Sequence, residues 1–327
     1  MQRELLFVVI KFLFVMLYIE NGGTRLGILP DVGGRVVLLS RNGAPNIFKS
    51  DYRLWDEDER LQPAADQLEF RPYNGQEVWV GPQCEWWRHQ DLNEDQKHST
   101  LFWPPDPYIS YGAFTVQRHI SCEITLEGPD SPISGVRLKK HIMITADGVV
   151  HYDVEATNIR KEPVSWDLWL IARTNGNNPT FVPVSSPFDV RVTGATHPDC
   201  EGDAPYMLKD GYFTFTPERR SFSYYACTGK AFIRPSRPFI ATLSGRDLLV
   251  IRFEHHSQEL IHPAQSEVEI YNYASSDDDV LMEMEYHSPY TTLQPGESMK
   301  TSQTWQILPF SGYVSREMIT SFLDSLK

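Results

Sequence analysis

From Leu17 onward the chain alternates apolar and polar residues in short runs broken by turn residues, and this period of two dictates strands. The runs 114–128, 135–147 and 149–160 show it clearly, and 165–174 reads as another strand. "GYFTFTP", "FSYYACTG", "FIATLSG", "DLLVIRFEHH" and "SEVEIYNYA" continue the series. Asn21-Gly22-Gly23 and Asp147-Gly148 are hairpin turns. Gly33-Gly34, with no phosphate-loop spacing and no helix pattern behind it, reads as a tight turn. Only the tail 315–327 reads as helix, capped by Ser315, with Met318, Ile319, Phe322 and Leu326 on one face. Roughly fifteen or more antiparallel strands with one short helix define an all-β chain, a large curved double sheet. Two stretches, 51–69 and 175–205, read as loops.

Composition narrows the partners. Hydrophobic residues make up 41% and charged residues 22%, enough apolar surface for a packed core. The net charge is −13 with no Lys/Arg cluster, which argues against a nucleic-acid partner and for a small neutral or cationic ligand, or plain solubility. Cys84, Cys122, Cys200 and Cys227 form no CxxC pair, so a zinc ribbon is unlikely and buried free thiols are expected. Residues 1–16 are an apolar segment interrupted by Lys11, open to three readings: an export signal or anchor, a first packed element, or a start codon placed too early. Any membrane contact would run through that segment, and export is favoured over the cytoplasm. Residues 17–327 read as a single domain.

Two regions carry candidate chemistry. "LMEMEYHSPY" (281–290) puts Glu283, Glu285 and His287 at every second position, hence on one face of a strand, with consecutive members roughly 6.7 Å apart along the chain. A solvated strand face is the plain alternative to a catalytic one. If two carboxylates share a concave site, desolvation and repulsion raise one pKa toward neutrality, which suits a general acid or base. The second region is 73–112, where Trp79, Trp86, Trp87 and Trp103 cluster with Gln76, Glu77, Gln83, Arg88 and His89. Aromatic rings with polar neighbours suit sugar faces, although each ring is equally a candidate for the core. Arg35, beside the Gly33-Gly34 turn, and Arg173 with Asn175, at the end of "WLIARTN", complete the candidate binding set. No metal site is expected: His255 and His256 are neighbours that point to opposite faces of a strand, and no HxH or HExxH occurs. No cofactor motif is present.

Three pieces together resemble the galactose mutarotase-like, or aldose 1-epimerase-like, superfamily, and within it a bacterial branch. They are "ILPDVGGRVVLL", the Gly- and Trp-rich loop ending in "WPPDPY", and the close "MEYHSPYTTLQPGESMKTSQTWQI". The close is the most specific: a strand Glu (Glu285), a Pro (Pro289), an L-x-PGE turn (Leu293 to Glu297) and a strand ending in an aromatic (Trp305). The resemblance covers about 18–311 and implies a β-supersandwich that binds a small sugar or glycan end. It further implies that Glu285, with Glu283 as fallback, takes the proton of an anomeric hydroxyl while a second group protonates the ring oxygen. The chain departs from the family at two places. "GQEVWVGPQ" (75–83) replaces the usual HGG, and "SWDLWLIARTN" lacks the usual mid-chain His, leaving Arg173 near its place. A sugar-binding domain without chemistry is therefore the alternative. A glycan lyase or hydrolase ranks last, because Glu283 and Glu285 stand on one side of any ligand, whereas hydrolase acids flank the bond.

Overall fold

A computed structural model describes residues 16–56, 60–194, 205–215, 228–274 and 279–326. In chain order its strands are β1 (Leu17–Asn21), β2 (Thr24–Leu29), β3 (Arg35–Arg41), β4 (Gln76–Gly81), β5 (Thr115–Ile120), β6 (Glu123–Asp130) and β7 (Val136–Ile144). Then come β8 (Val150–Asn158), β9 (Val164–Asn175), β10 (Thr180–Pro183), β11 (Val190–Thr193), β12 (Tyr206–Lys209), β13 (Tyr212–Phe215) and β14 (Gly229–Ile233). The last are β15 (Phe239–Ser244), β16 (Asp247–Phe253), β17 (Val268–Ala274), β18 (Val280–His287), β19 (Thr291–Leu293) and β20 (Ser298–Pro309). The helices are α1 (Glu94–His98), α2 (Pro107–Ser110) and α3 (Arg316–Ser325).

Two ten-stranded antiparallel sheets result. The first runs β1-β2-β3-β4-β9-β18-β17-β14-β11, with β19 paired to β9, and the second runs β12-β13-β10-β15-β16-β20-β8-β7-β6-β5. Strand β9 is central to the first sheet and buried almost throughout. Its near-continuous apolar run is what a strand covered on both faces requires. Between the sheets, Val78, Leu168, Leu170, Ile270, Met284 and Tyr286 meet Tyr152, Ile251, Phe253 and Trp305. Tyr286 stacks on Phe253 at 4.5 Å and Tyr152 on Trp305 at 4.9 Å between ring centroids. Each such side chain contributes about 1.5–3 kcal/mol by leaving water.

The turns form as the sequence predicts. Gly22-Gly23 links β1 to β2, and Gly33 and Gly34 have φ of 65° and 57°, a region that favours glycine. Four features differ from expectation. Short helices α1 and α2 form within 73–112, where only the tail was expected to be helical. The run 114–128 is two strands, because Ser121-Cys122 turns the chain back to pair β5 with β6. The stretch 175–205 contains β10 and β11, short strands whose signal is hidden among prolines. In α3, Ser315 caps the helix and Ile319, Phe322, Leu323 and Leu326 pack inward, while Met318 faces out at 48% exposure. Cys84 and Cys122 are free and half-buried, not fully buried. The apolar segment 1–15, Cys200, Cys227 and "FSYYAC" lie outside the described residues. Among the described residues no helix is long and apolar enough to cross a membrane.

Candidate active site

Register builds the site on the first sheet. In β18, Glu283, Glu285 and His287 sit opposite Arg173, Ile171 and Trp169 of β9. On the other side of β18, β17 places Glu269 opposite Glu285 and Tyr271 opposite Glu283. Next, β14 sets Lys230 against Tyr271, and beyond β9, β4 sets Glu77 against Ile171 and Trp79 against Trp169. Because pairing carries one face across a sheet, these side chains share the face turned away from the second sheet. That face is not solvated: Glu285 and His287 are fully buried and Glu77, Glu269, Asp167 and Arg173 nearly so.

Buried charges must be paired, and here they form two networks. In the first, Glu77 is held between the Arg35 and Arg173 guanidiniums, and Arg173 Nε also donates to Glu283 Oε1 at 2.7 Å. Burial would raise the Glu77 pKa, but the two arginines outweigh it and hold the carboxyl below its usual range. In the second, Lys230 Nζ lies 2.7 Å from Glu269 Oε2 and 3.0 Å from Glu285 Oε2. His287 Nδ1 lies 2.8 Å from Gln265 Nε2 and 3.2 Å from Asp167 Oδ1, and its Nε2 is 3.7 Å from Glu269 Oε1.

Protonation follows from the geometry. Burial pushes Glu285 up to about 7, with Glu283 and Glu269 adding to it against the pull of Lys230. Burial alone would lower His287, yet the Glu269 and Asp167 carboxylates overcome it and raise it to about 9. Glu269 is lowered to about 2: burial works against this, and Lys230 with His287 outweighs burial. Near neutrality the site thus holds a carboxyl poised to lose a proton beside an imidazolium poised to give one. Among the described residues, Glu285 Oε1, His287 Nε2 and the indole nitrogens of Trp79 and Trp169 are buried without a hydrogen-bond partner, the kind of group a ligand satisfies.

Aromatic rings wall this face. Trp169 is 5.1 Å from Trp79, 5.7 Å from Trp86 and 4.9 Å from His287, and the Lys230 ammonium lies 4.8 Å from its centroid. Trp103, 6.0 Å from Trp79, is 43% exposed and marks the solvent side.

Of the predicted binding residues, Arg35, Glu77, Trp79 and Arg173 join the cluster, and Trp103 stands at its rim. The others stand elsewhere. Gln76, one residue out of phase with Glu77, faces the second sheet beside Tyr152. Trp87 is buried, with its indole donating to Pro104 O at 2.7 Å, and serves its loop. Gln83 opens a 3₁₀ turn past the end of β4. Asn175 is exposed and accepts the Asn177 N–H. Arg173, near the place of the missing histidine, is locked between two carboxylates. Sequence reasoning missed Asp167, Trp169, Gln265, Glu269 and Lys230. An acid inside the apolar run "SWDLWLI" was a readable signal for Asp167, and the alternation of "SEVEI" for Glu269. Lys230 had none. Glu269, Glu285 and His287 bring one ligand atom each to within 4.8 Å of one another, a metal-like grouping that no sequence motif announced. The Lys230 ammonium already bridges two of its members.

The order of strands in its two sheets gives the molecule the fold of the galactose mutarotase-like β-sandwich proteins. A galactose mutarotase-like protein from Lactobacillus casei superposes with a TM-score of 0.55 at 12% identity, covering 90% of this chain and 100% of the other. A galactose mutarotase related enzyme from Lactobacillus acidophilus gives 0.54 at 10% identity, covering 92% and 100%. An aldose epimerase homologue from C. elegans gives 0.51 at 13% identity, covering 91% and 99%. At such identities the likeness is one of fold. Residues 15–308 match the family described as a domain of unknown function, DUF4380, and the chain belongs to that family. No curated protein matches the sequence.

Proposed function

We propose that this protein catalyses proton transfer at the anomeric centre of a neutral aldose, in the manner of an aldose 1-epimerase. The observation that carries the reading is Glu285: fully buried, with one oxygen unpartnered among the described residues, and raised to about 7 by burial. Glu285 takes the proton of the anomeric hydroxyl. His287, raised to about 9, gives a proton to the ring oxygen as the bond from that oxygen to the anomeric carbon breaks. The open-chain aldehyde turns about its first carbon–carbon bond, and the steps reverse to close the other anomer. The two oxygens sit on one carbon, so an acid and a base with atoms within 4.8 Å of each other serve both. This assignment gives His287 the part that the family gives to the absent mid-chain histidine.

A neutral substrate follows from charge pairing. Arg35 and Arg173 are committed to Glu77 and Glu283, Lys230 to Glu269 and Glu285, and His287 lies against Asp167, which leaves no cation of this cluster free for a carboxylate or phosphate.

The test is saturation-exchange NMR on a panel of aldoses and uronic acids. Exchange between anomers of a neutral aldose is expected to speed up with the wild type and to drop about a hundred-fold or more with Glu285→Gln. The locked state of Arg173 favours a second reading, a sugar-binding domain without chemistry. Saturation transfer to a sugar with no acceleration would establish it.

A further inference from the structure

We propose that Lys230 guards Glu285: a sugar hydroxyl reaches this carboxylate by inserting between it and the Lys230 ammonium, which stays anchored on Glu269. The inference rests on the reading of Glu285 as the base and adds the residue that controls access to it.

The site is asymmetric. Lys230 bridges two carboxylates of unequal attachment. Glu269 is fixed twice over, since its Oε1 also accepts the Ser266 N–H at 3.0 Å. Glu285 has one hydrogen-bond donor among the described residues, Lys230 Nζ at 3.0 Å, and its other oxygen has none. Of the three groups Lys230 alone meets solvent: its side chain is 22% exposed, against 2% for Glu269 and 0% for Glu285. Its ammonium rests over the Trp169 ring, so on the side of Lys230 an indole face and a cation stand over Glu285. Lysine suits this place because its three donors turn freely on a flexible stem.

The chemistry selects the ligand. A hydroxyl placed between Nζ and the carboxylate accepts from the first and donates to the second, so one bond is replaced by two. A carboxylate or phosphate would satisfy Lys230 but would face Glu269, Glu283 and Glu285. The gate therefore admits neutral polyols and turns away acidic sugars. Lys230 also sets when Glu285 ionises. The other titratable groups on this face around Glu285 are Glu269 and Tyr271 from β17, Glu283 and His287 from β18, and Arg173 and Asp167 from β9. Arg173 is committed to Glu77 and Glu283, so without Lys230 the carboxylates prevail and Glu285 holds its proton to higher pH.

The test titrates the side-chain carboxyl carbons of ¹³C-glutamate-labelled protein, with Glu285→Gln to assign the Glu285 signal. Lys230→Met is expected to raise the Glu285 midpoint by ~1–2 pH units, and Lys230→Arg to leave it near the wild-type value. The acid limb of anomer exchange should move with it. In the wild type a neutral aldose, and not its uronic acid, should shift the Glu285 signal. If Lys230→Met does not fold, Lys230→Gln carries the same reading, since it keeps a donor without the charge. A midpoint unmoved by loss of the lysine charge overturns the proposal, as does a uronic acid that binds as well as the aldose. Absence of exchange in the wild type would overturn the catalytic reading alone, because the titration and the binding shift need no turnover.

Discussion

Glu77 holds two buried guanidiniums in place, so its loss is costly in a way that its sequence neighbours do not reveal. Glu77→Gln leaves Arg35 and Arg173 buried without their shared counter-charge, and urea unfolding should show a loss of about 3–5 kcal/mol. His287 gives a dependence on pH with a definite sign. Its pKa is raised from 6.5 to about 9, so the stabilisation it draws from Glu269 and Asp167 is whole below 6.5 and is lost as pH climbs toward 9. Glu269, lowered from 4.5 to about 2, keeps its contribution above 4.5 and loses it as pH falls toward 2. Melting temperature should therefore decline between pH 6.5 and 9, and His287→Asn should flatten that decline. The proposed activity follows the same groups. Anomer exchange should rise through about pH 7 as Glu285 ionises and fall beyond about pH 9 as His287 loses its proton. Alternation in "MEMEYH" made Glu283, Glu285 and His287 readable as a set, but whether they faced water or the interior depended on chain segments far away.

At the scale of elements, turn chemistry was the most legible part. Gly33 has φ of 65°, and a Cβ there would lie 2.6 Å from Ser110 O and 2.7 Å from Ile109 O, both backbone. Gly43 has φ of 74° with open space around it. Gly43→Ala should cost only the left-handed strain, about 1–2 kcal/mol, while Gly33→Ala should cost more and displace α2. Thermal melts of the two variants compare them directly. Strand β9 was legible as a strand, though its burial on both faces was not, and β18 was legible from its period of two. Short strands β10 and β11 were not, because four residues among prolines carry too little pattern to distinguish from loop.

On the scale of the whole molecule, the two sheets divide the labour. The first carries the charged cluster, and the second supports it from behind through the aromatic layer of Tyr152, Phe253 and Trp305. Helix α3 closes the far side of the second sheet, where Ile319 and Leu323 cover Phe181, Tyr212, Phe239 and Phe310. Removing residues 315–327 should expose that patch, lower the melting temperature and bind a hydrophobic dye. The Glu285 titration should stay as it was, since α3 packs on the other sheet.

The sequence by itself determined the class of fold, the glycine turns, the terminal helix and the strand that presents Glu283, Glu285 and His287. These follow from local rules: side-chain period, backbone freedom and capping act over a few residues. Tertiary structure alone decided that Lys230 bridges Glu269 and Glu285, that Arg173 is locked between two acids, and that Gln76 faces away from the site. Charge pairing across a sheet depends on which strands become neighbours and in what register. Lys230 and Glu285 stand 55 residues apart in the chain, and only the order β18-β17-β14 brings them together.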